Sequence, residues 1–274
     1  MSSIAPTSTA LNTLPARGDV AVNLDDVKPQ PQARARPAAR GTAADLGRVS
    51  GRTDLQWAGG NGPKSSTSAV SIQQTFKTKV DPNTTATGTL RVIGYGGRDG
   101  VKGTDYRGAI GITRTLPSAP GTKYTVDVTA GASLNQRQSP SFSDNPSFDV
   151  TLTGRGEWKA SPGTTVFAEA SAKEVLAATS QARGRLTVGA VWKPDAGTSV
   201  SPFAAGEVRV DQSGARAGQA TSFMRTVGVD VSVGLGQDTQ LVVGAAHTWG
   251  GAGSSTTPMD NDGLSGKVLV RFGL

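Results

Sequence analysis

The sequence has no cysteine and a single histidine, His247. Disulfides and thiolate metal sites are thereby excluded, and one imidazole cannot build a histidine metal cluster. Nothing in the 274 residues approaches the roughly twenty consecutive apolar positions of a transmembrane helix. Aromatic residues are few, 5% of the chain. The opening MSSIAPTSTALNTLP lacks a basic start and an apolar stretch, so a secretory signal peptide is not expected there. Phosphate-loop chemistry is not indicated either. The glycines of Gly94-Tyr95-Gly96-Gly97 open no helix, and glycine in such segments serves close packing and strand curvature.

What the chain does have is alternation. In 147–158, SFDVTLTGRGEW, Phe148, Val150, Leu152 and Trp158 fall on one face, with Gly154 and Gly156 between them. Asp149, Thr151, Thr153, Arg155 and Glu157 fall on the other. Successive strand side chains point to opposite faces, so the period of two predicts a strand. Its length suits a membrane-crossing strand. The same pattern predicts strands at 48–58, 68–80, 85–95, 105–115, 123–133, 164–173, 184–193, 202–211, 222–235, 239–249 and 264–273. That makes about twelve in all.

The connections are expected to alternate. Tight ones fall at 81–84, 117–122, 160–163, 194–197 and 236–238, and looser ones at 59–67, 96–104, 134–146, 174–183, 212–221 and 250–263. Short turns on one side and longer loops on the other are the habit of membrane barrels, not of Greek-key sandwiches. Around Gly236-Gln237-Asp238 the face is kept if Val233 meets Leu241, Val231 meets Val243 and Val229 meets Ala245. The aromatic residues Trp57, Tyr95, Tyr106, Tyr124, Phe148, Trp158, Trp192, Trp249 and Phe272 stand at or near predicted strand ends. Amphipathic rings collect at membrane interfaces, so these are the candidate interface aromatics.

Residues 1–47 differ in composition. They are rich in Ala, Pro, Thr, Ser and Arg, and PQPQARARPAAR carries no apolar period, so a disordered tail preceding a barrel domain over 48–274 is expected. Arg34, Arg36 and Arg40 could touch anionic lipid or enter a pore, or the tail could simply be solvated. The Ser/Thr/Pro-rich start is also similar in composition to the leaders of type III secreted proteins.

Together the repeated amphipathic strands, the alternating turns, the aromatic ends and the closing GKVLVRFGL resemble a bacterial outer-membrane β-barrel of about twelve strands, over roughly 48–274. Barrels of that family often close on an aromatic residue. Here Phe272 stands close to that place, followed by Gly273 and Leu274. The resemblance implies an all-β fold: a single antiparallel up-and-down transmembrane barrel.

The polar face is charged. Candidate lumen-lining residues are Arg91, Arg107, Lys123, Asp149, Arg155, Glu157, Glu169, Lys173, Arg185, Glu207, Arg209, Lys267 and Arg271. A dry core could not hold so many charges, because each is costly to bury unless paired. If the turn near Ser161 centres its hairpin, Asp149 falls opposite Lys173 and Glu169 diagonal to Arg155. Such pairs either brace the barrel or line a selective path. An excess of basic residues would favour anions.

No catalytic constellation and no metal or cofactor site is expected. Asp260-Asn261-Asp262-Gly263 lacks the later Glu of a calcium loop and reads as a turn, and His247 beside Trp249 reads as interfacial. The expected partners are membrane lipid and small anionic solutes. The net charge of +7 is not arranged as a nucleic-acid surface, so nucleic acid is not among them. The sequence thus predicts a non-enzymatic outer-membrane barrel, a passive pore or a structural surface protein with a net basic lumen. The alternative is a soluble secreted β-rich binding protein.

Overall fold

The computed structural model describes residues 47–61, 66–97, 102–139, 143–177, 180–212, 220–251 and 263–273. Residues 1–46 of the expected tail, and the Asp260–Asp262 turn, lie outside the described residues. Twelve strands run through the described part: β1 (Val49–Asn61), β2 (Ser66–Asp81), β3 (Thr84–Gly97), β4 (Lys102–Leu116), β5 (Thr122–Ser139) and β6 (Ser143–Ser161). They continue with β7 (Thr164–Leu176), β8 (Gln181–Trp192), β9 (Thr198–Asp211), β10 (Ala220–Gly234), β11 (Thr239–Gly251) and β12 (Gly263–Gly273). Each strand pairs antiparallel with its neighbour in sequence. β12 returns to β1, with Leu55 opposite Val270 and Trp57 opposite Val268, so the sheet closes into an up-and-down barrel. Closure leaves no unpaired edge.

The period of two sorts the side chains between outside and inside. Ile110 is 72% exposed, Phe148 62% and Leu90 61%. Val70, Ile72, Val128, Val150, Leu152, Leu186 and Val243 are exposed as well. An apolar surface that continues around the whole barrel is far larger than the few hundred Å² a water-soluble monomer tolerates. The opposite face turns inward, where Asp149 keeps only 4% of its exposure and Glu207 6%.

The expected β10–β11 register is the observed one: Val233 faces Leu241, Val231 faces Val243 and Val229 faces Ala245. The β6–β7 register differs from expectation by two positions. Arg155 stands directly opposite Glu169, and Lys173 opposite Thr151. The turn centres on Pro162-Gly163 instead of Ser161, and a one-residue bulge between Lys159 and Ser161 brings the slip to two. A two-residue slip preserves the face, so the hydrophobic pattern could not detect it.

The turns at one end are tight. At β2–β3 the Asp81 carboxylate accepts the Asn83 N–H at 2.8 Å, and the Thr84 hydroxyl, with that N–H, holds its carboxyl below the ordinary carboxylate range. At β4–β5 Gly121 supplies a φ of 79°. At the other end, four of the six connections expected to be loose are short, because their strands run further. Only residues 140–142 separate β5 from β6, where Asn135 pairs with Asn145 and Arg137 with Ser143. The ladder continues there after apolar alternation has ended, since backbone pairing does not require a buried face. Long connections remain between β9 and β10 and between β11 and β12.

Candidate functional site: the charged interior

The inward face carries a network in which single acids hold pairs of cations. Asp149 on β6 accepts from Arg107 on β4 at 2.6 Å, and Lys173 on β7 lies 3.4 Å from the same oxygen. Glu207 holds Arg209 at 2.7 Å and Arg185 at 3.4 Å. Asp54 holds Arg52 and Arg271, each at 3.1 Å, across the seam that joins β1 to β12. Arg155 reverses the pattern, bonding Glu157 at 2.7 Å and Glu169 at 3.2 Å. Lys267 pairs singly with Asp230 at 2.8 Å. Most of these charges are largely desolvated, so the mutual pairing offsets what burial costs.

Two of the pairs skip a strand. Arg107 reaches Asp149 over Gly131 of β5, and Lys267 reaches Asp230 over Gly244 of β11. A Cβ at Gly131 would stand 3.1 Å from the Arg107 guanidinium. One at Gly244 would collide with the Asp230 carboxylate and lie 2.8 Å from the Lys267 chain. Glycine in the middle strand is what lets its two neighbours touch.

All thirteen candidates of the polar face lie on the inward face by register. Eleven of them take part in the pairs above, all but Arg91 and Lys123. Arg91 stands directly opposite Arg107, with its Nε buried and without a hydrogen-bond partner. Lys123 stands opposite Glu157. The expected Asp149–Lys173 and Arg155–Glu169 contacts both form, with their roles exchanged: Arg155–Glu169 is direct and Asp149–Lys173 diagonal.

Sequence reasoning passed over several inward groups. Asp54 and Arg52 sit in the first predicted strand, whose weak alternation hid their side. Asp105 and Arg183 stand at predicted strand boundaries, where side cannot be assigned. In the structure, Arg183 lies opposite both Lys173 and Arg209, which makes one lateral row of three cations over β7, β8 and β9. Like charges directly opposite one another are unfavourable. Glu207 and Asp149, on either side of that row, offset part of the repulsion.

The interior also holds an apolar cluster of Phe167 (3% exposed), Val191, Phe203 and Ala246. The Phe167 ring lies against Gly189 and the Phe203 ring against Gly228, and the Arg155 guanidinium covers Phe167 at 4.3 Å. These rings stand on the polar face of their strands, so period-two reasoning had no reason to expect a cluster there.

Among the candidate aromatics, Trp57, Tyr106, Tyr124, Phe148, Trp192 and Phe272 are exposed on the outer face. Trp158 meets Tyr124 edge-on at 6.1 Å, and Trp249 stacks on His247 at 5.5 Å. Tyr95 differs. It shares the inward face with Arg91, and its hydroxyl donates to Asn135 Oδ1 at 3.0 Å across β4. A tyrosine at a strand end carries no mark of its side when the residues around it are glycines.

The closed twelve-strand antiparallel barrel, apolar outside and charged inside, defines the fold of the bacterial outer-membrane β-barrels. Solved structures similar to this chain belong to that class. An outer membrane channel from Pseudomonas putida F1 matches with a TM-score of 0.59 at 9% identity, over 88% of this chain and 100% of that one. The β domain of the Bordetella autotransporter BrkA matches with a TM-score of 0.53 at 12% identity, over 82% and 99%. The translocator domain of the autotransporter NalP from Neisseria meningitidis matches with a TM-score of 0.52 at 12% identity, over 82% and 88%. No protein-family model and no curated protein sequence matches the chain.

Proposed function

We propose that this protein is a non-enzymatic barrel of the bacterial outer membrane, offering a narrow passive path that prefers small anionic solutes. The observation that carries the reading is the cation excess of the inward face. Three of its acids hold two cations each, and Arg91 and Arg183 have no carboxylate within 4.0 Å among the described residues. A lining of this sign lowers the barrier for anions and raises it for cations. The outer apolar belt weighs against the soluble secreted alternative, because water would have to cover it.

A second reading, a structural surface barrel with no path, draws on the packing of the interior. Thr187 is 1% exposed, and the cluster of Phe167, Val191 and Phe203 fills the wall from β7 to β9. Single-channel recording in a planar bilayer separates the two. Discrete steps with an anion-selective reversal potential support the path. A folded, inserted protein that conducts nothing supports the structural barrel, and cation selectivity overturns the charge argument.

A further inference from the structure

The outer face carries a cation where its neighbours are apolar. Arg225 on β10 shares the exposed face with Phe223, Val227, Val229 and Val231. Its place along the strand matters. It stands nine positions from Gly234 at the tight-turn end of β10. At about 3.3 Å per residue, that is roughly 30 Å of strand. A tilt of about 40° reduces this to roughly 23 Å of height, close to the ~25 Å of an apolar band. Arg225 therefore emerges at the edge of the band on the side of the long connections, where headgroups begin.

Its surroundings are donors and aromatic faces. The guanidinium lies 5.2 Å from the Phe223 ring centroid. Trp249 is directly opposite on β11, and His247, on the same outer face one pair further along, stacks on it with ring planes 29° apart. On the other flank the residue opposite Arg225 is Gly206, where an added Cβ would meet nothing within 4 Å. No carboxylate lies within 4.0 Å of Arg225 among the described residues. The result is a shallow open recess beside a guanidinium fork, an imidazole and an indole. Two other outer aromatics lack this company: Trp57 lies between Val70 and Val268, and Tyr106 between Val92 and Leu134.

We propose that Arg225, His247 and Trp249 bind the phosphate of a lipid headgroup on the outer face of β10–β11, at the end away from the tight turns. The guanidinium presents two parallel N–H groups to two phosphate oxygens, the geometry in which arginine binds phosphate most strongly. The Trp249 ring, apolar in body with one N–H, suits the boundary between acyl chain and headgroup. Gly206 leaves room for an acyl chain to lie along the wall. The proposal rests on the membrane-barrel reading above.

The test uses the full chain, folded in detergent, with diphosphoryl lipid A as probe and native mass spectrometry to count retained lipid. The wild type is expected to hold one lipid A. Arg225→Gln is expected to weaken retention by roughly tenfold, the loss of one charge-assisted bidentate contact, and Arg225→Lys to restore part of it. Arg114→Gln, which removes an exposed cation from the tight-turn end of β4, serves as control and leaves retention unchanged. Equal retention by Arg225→Gln and the wild type, both folded by heat-modifiability on gels, overturns the proposal and leaves the barrel reading intact. Displacement of lipid A by millimolar inorganic phosphate points to a free anion and also overturns it. A chain that stays soluble without detergent and inserts into no bilayer overturns both readings.

Discussion

Lys267 of β12 bonds Asp230 of β10 across the whole width of β11, and the passage is open only because residue 244 is glycine. The ion pair is thus a contact between second-neighbour strands, built from three positions and not two. Arg107, Gly131 and Asp149 repeat the arrangement on β4, β5 and β6.

Gly244→Ala is expected to destabilise the barrel by about 2 kcal/mol, since the methyl would overlap the Asp230 carboxylate and force the pair apart. Gly131→Ala should cost less, about 1 kcal/mol, because its nearest neighbour is the movable end of Arg107 and the Ala109 Cβ stands no closer than 3.3 Å. Urea unfolding in lipid vesicles gives both values. Equal losses at the two sites would show that the spanning pairs are not what the glycines serve.

Asp149→Asn removes the acid from two cations at once. Arg107 and Lys173 would then lose the carboxylate they share, at a cost of about 3 kcal/mol. The Arg107→Gln, Asp149→Asn double variant should recover part of that loss. A double-mutant cycle in the same unfolding assay reads the coupling, and strict additivity would contradict the clamp.

Arg91→Gln with Arg183→Gln removes two charges that no described carboxylate pairs with directly, and leaves every ion pair above intact. The expected outcome is a lower anion preference with unchanged stability. The reversal potential under a salt gradient measures it. An unmoved potential would take both side chains out of the conduction path.

Val231 and Ser232 are neighbours on opposite faces of β10: Val231 is 37% exposed outside, and Ser232 is buried inside. The chain has no native cysteine, so Val231→Cys and Ser232→Cys each give a unique labelling site. A fluorophore at 231 should be quenched by brominated acyl chains, and one at 232 should not. If lipid quenches neither, the outer belt does not touch hydrocarbon.

Residues 1–47, with no packable pattern in their sequence, are proposed as a tail separate from the barrel domain over 48–274. Limited proteolysis should trim them and leave a heat-modifiable core. Full protection of the segment in detergent would mean that it docks on the barrel.

The strands were legible because alternation is a physical demand: lipid or water on one face fixes every second residue. Val229, Val231 and Val233 announce their side, and their partners Ala245, Val243 and Leu241 follow from the turn. What stayed hidden lacks such a demand. The two-residue slip at β6–β7 keeps every face, so Arg155 and Asp149 exchanged roles unnoticed. Phe167 and Phe203 look misplaced on a polar face until Gly189 and Gly228 are seen beneath their rings. Asn135 and Arg137 belong to a strand that has outgrown its apolar stretch, so they read as loop. Asp105 and Arg183 fell in that same blind zone at the strand ends. Of the interior, then, most charges and two of their pairs, Asp149–Lys173 and Arg155–Glu169, were legible, and the pairs that span a middle strand were not.

The Asp54–Arg271 bond joins residues 217 positions apart. During synthesis Asp54 exists long before its partner does. Until β12 has been made, β1 has a free edge on one side, and so does the last strand completed. A barrel that has not yet closed is an open sheet with two unpaired margins, ready to pair with another copy. Bringing those ends together carries the largest loop-closure cost of any pairing in the molecule. Ring closure is accordingly the step at which folding and misassembly compete, and the eleven residues of β12 decide between them.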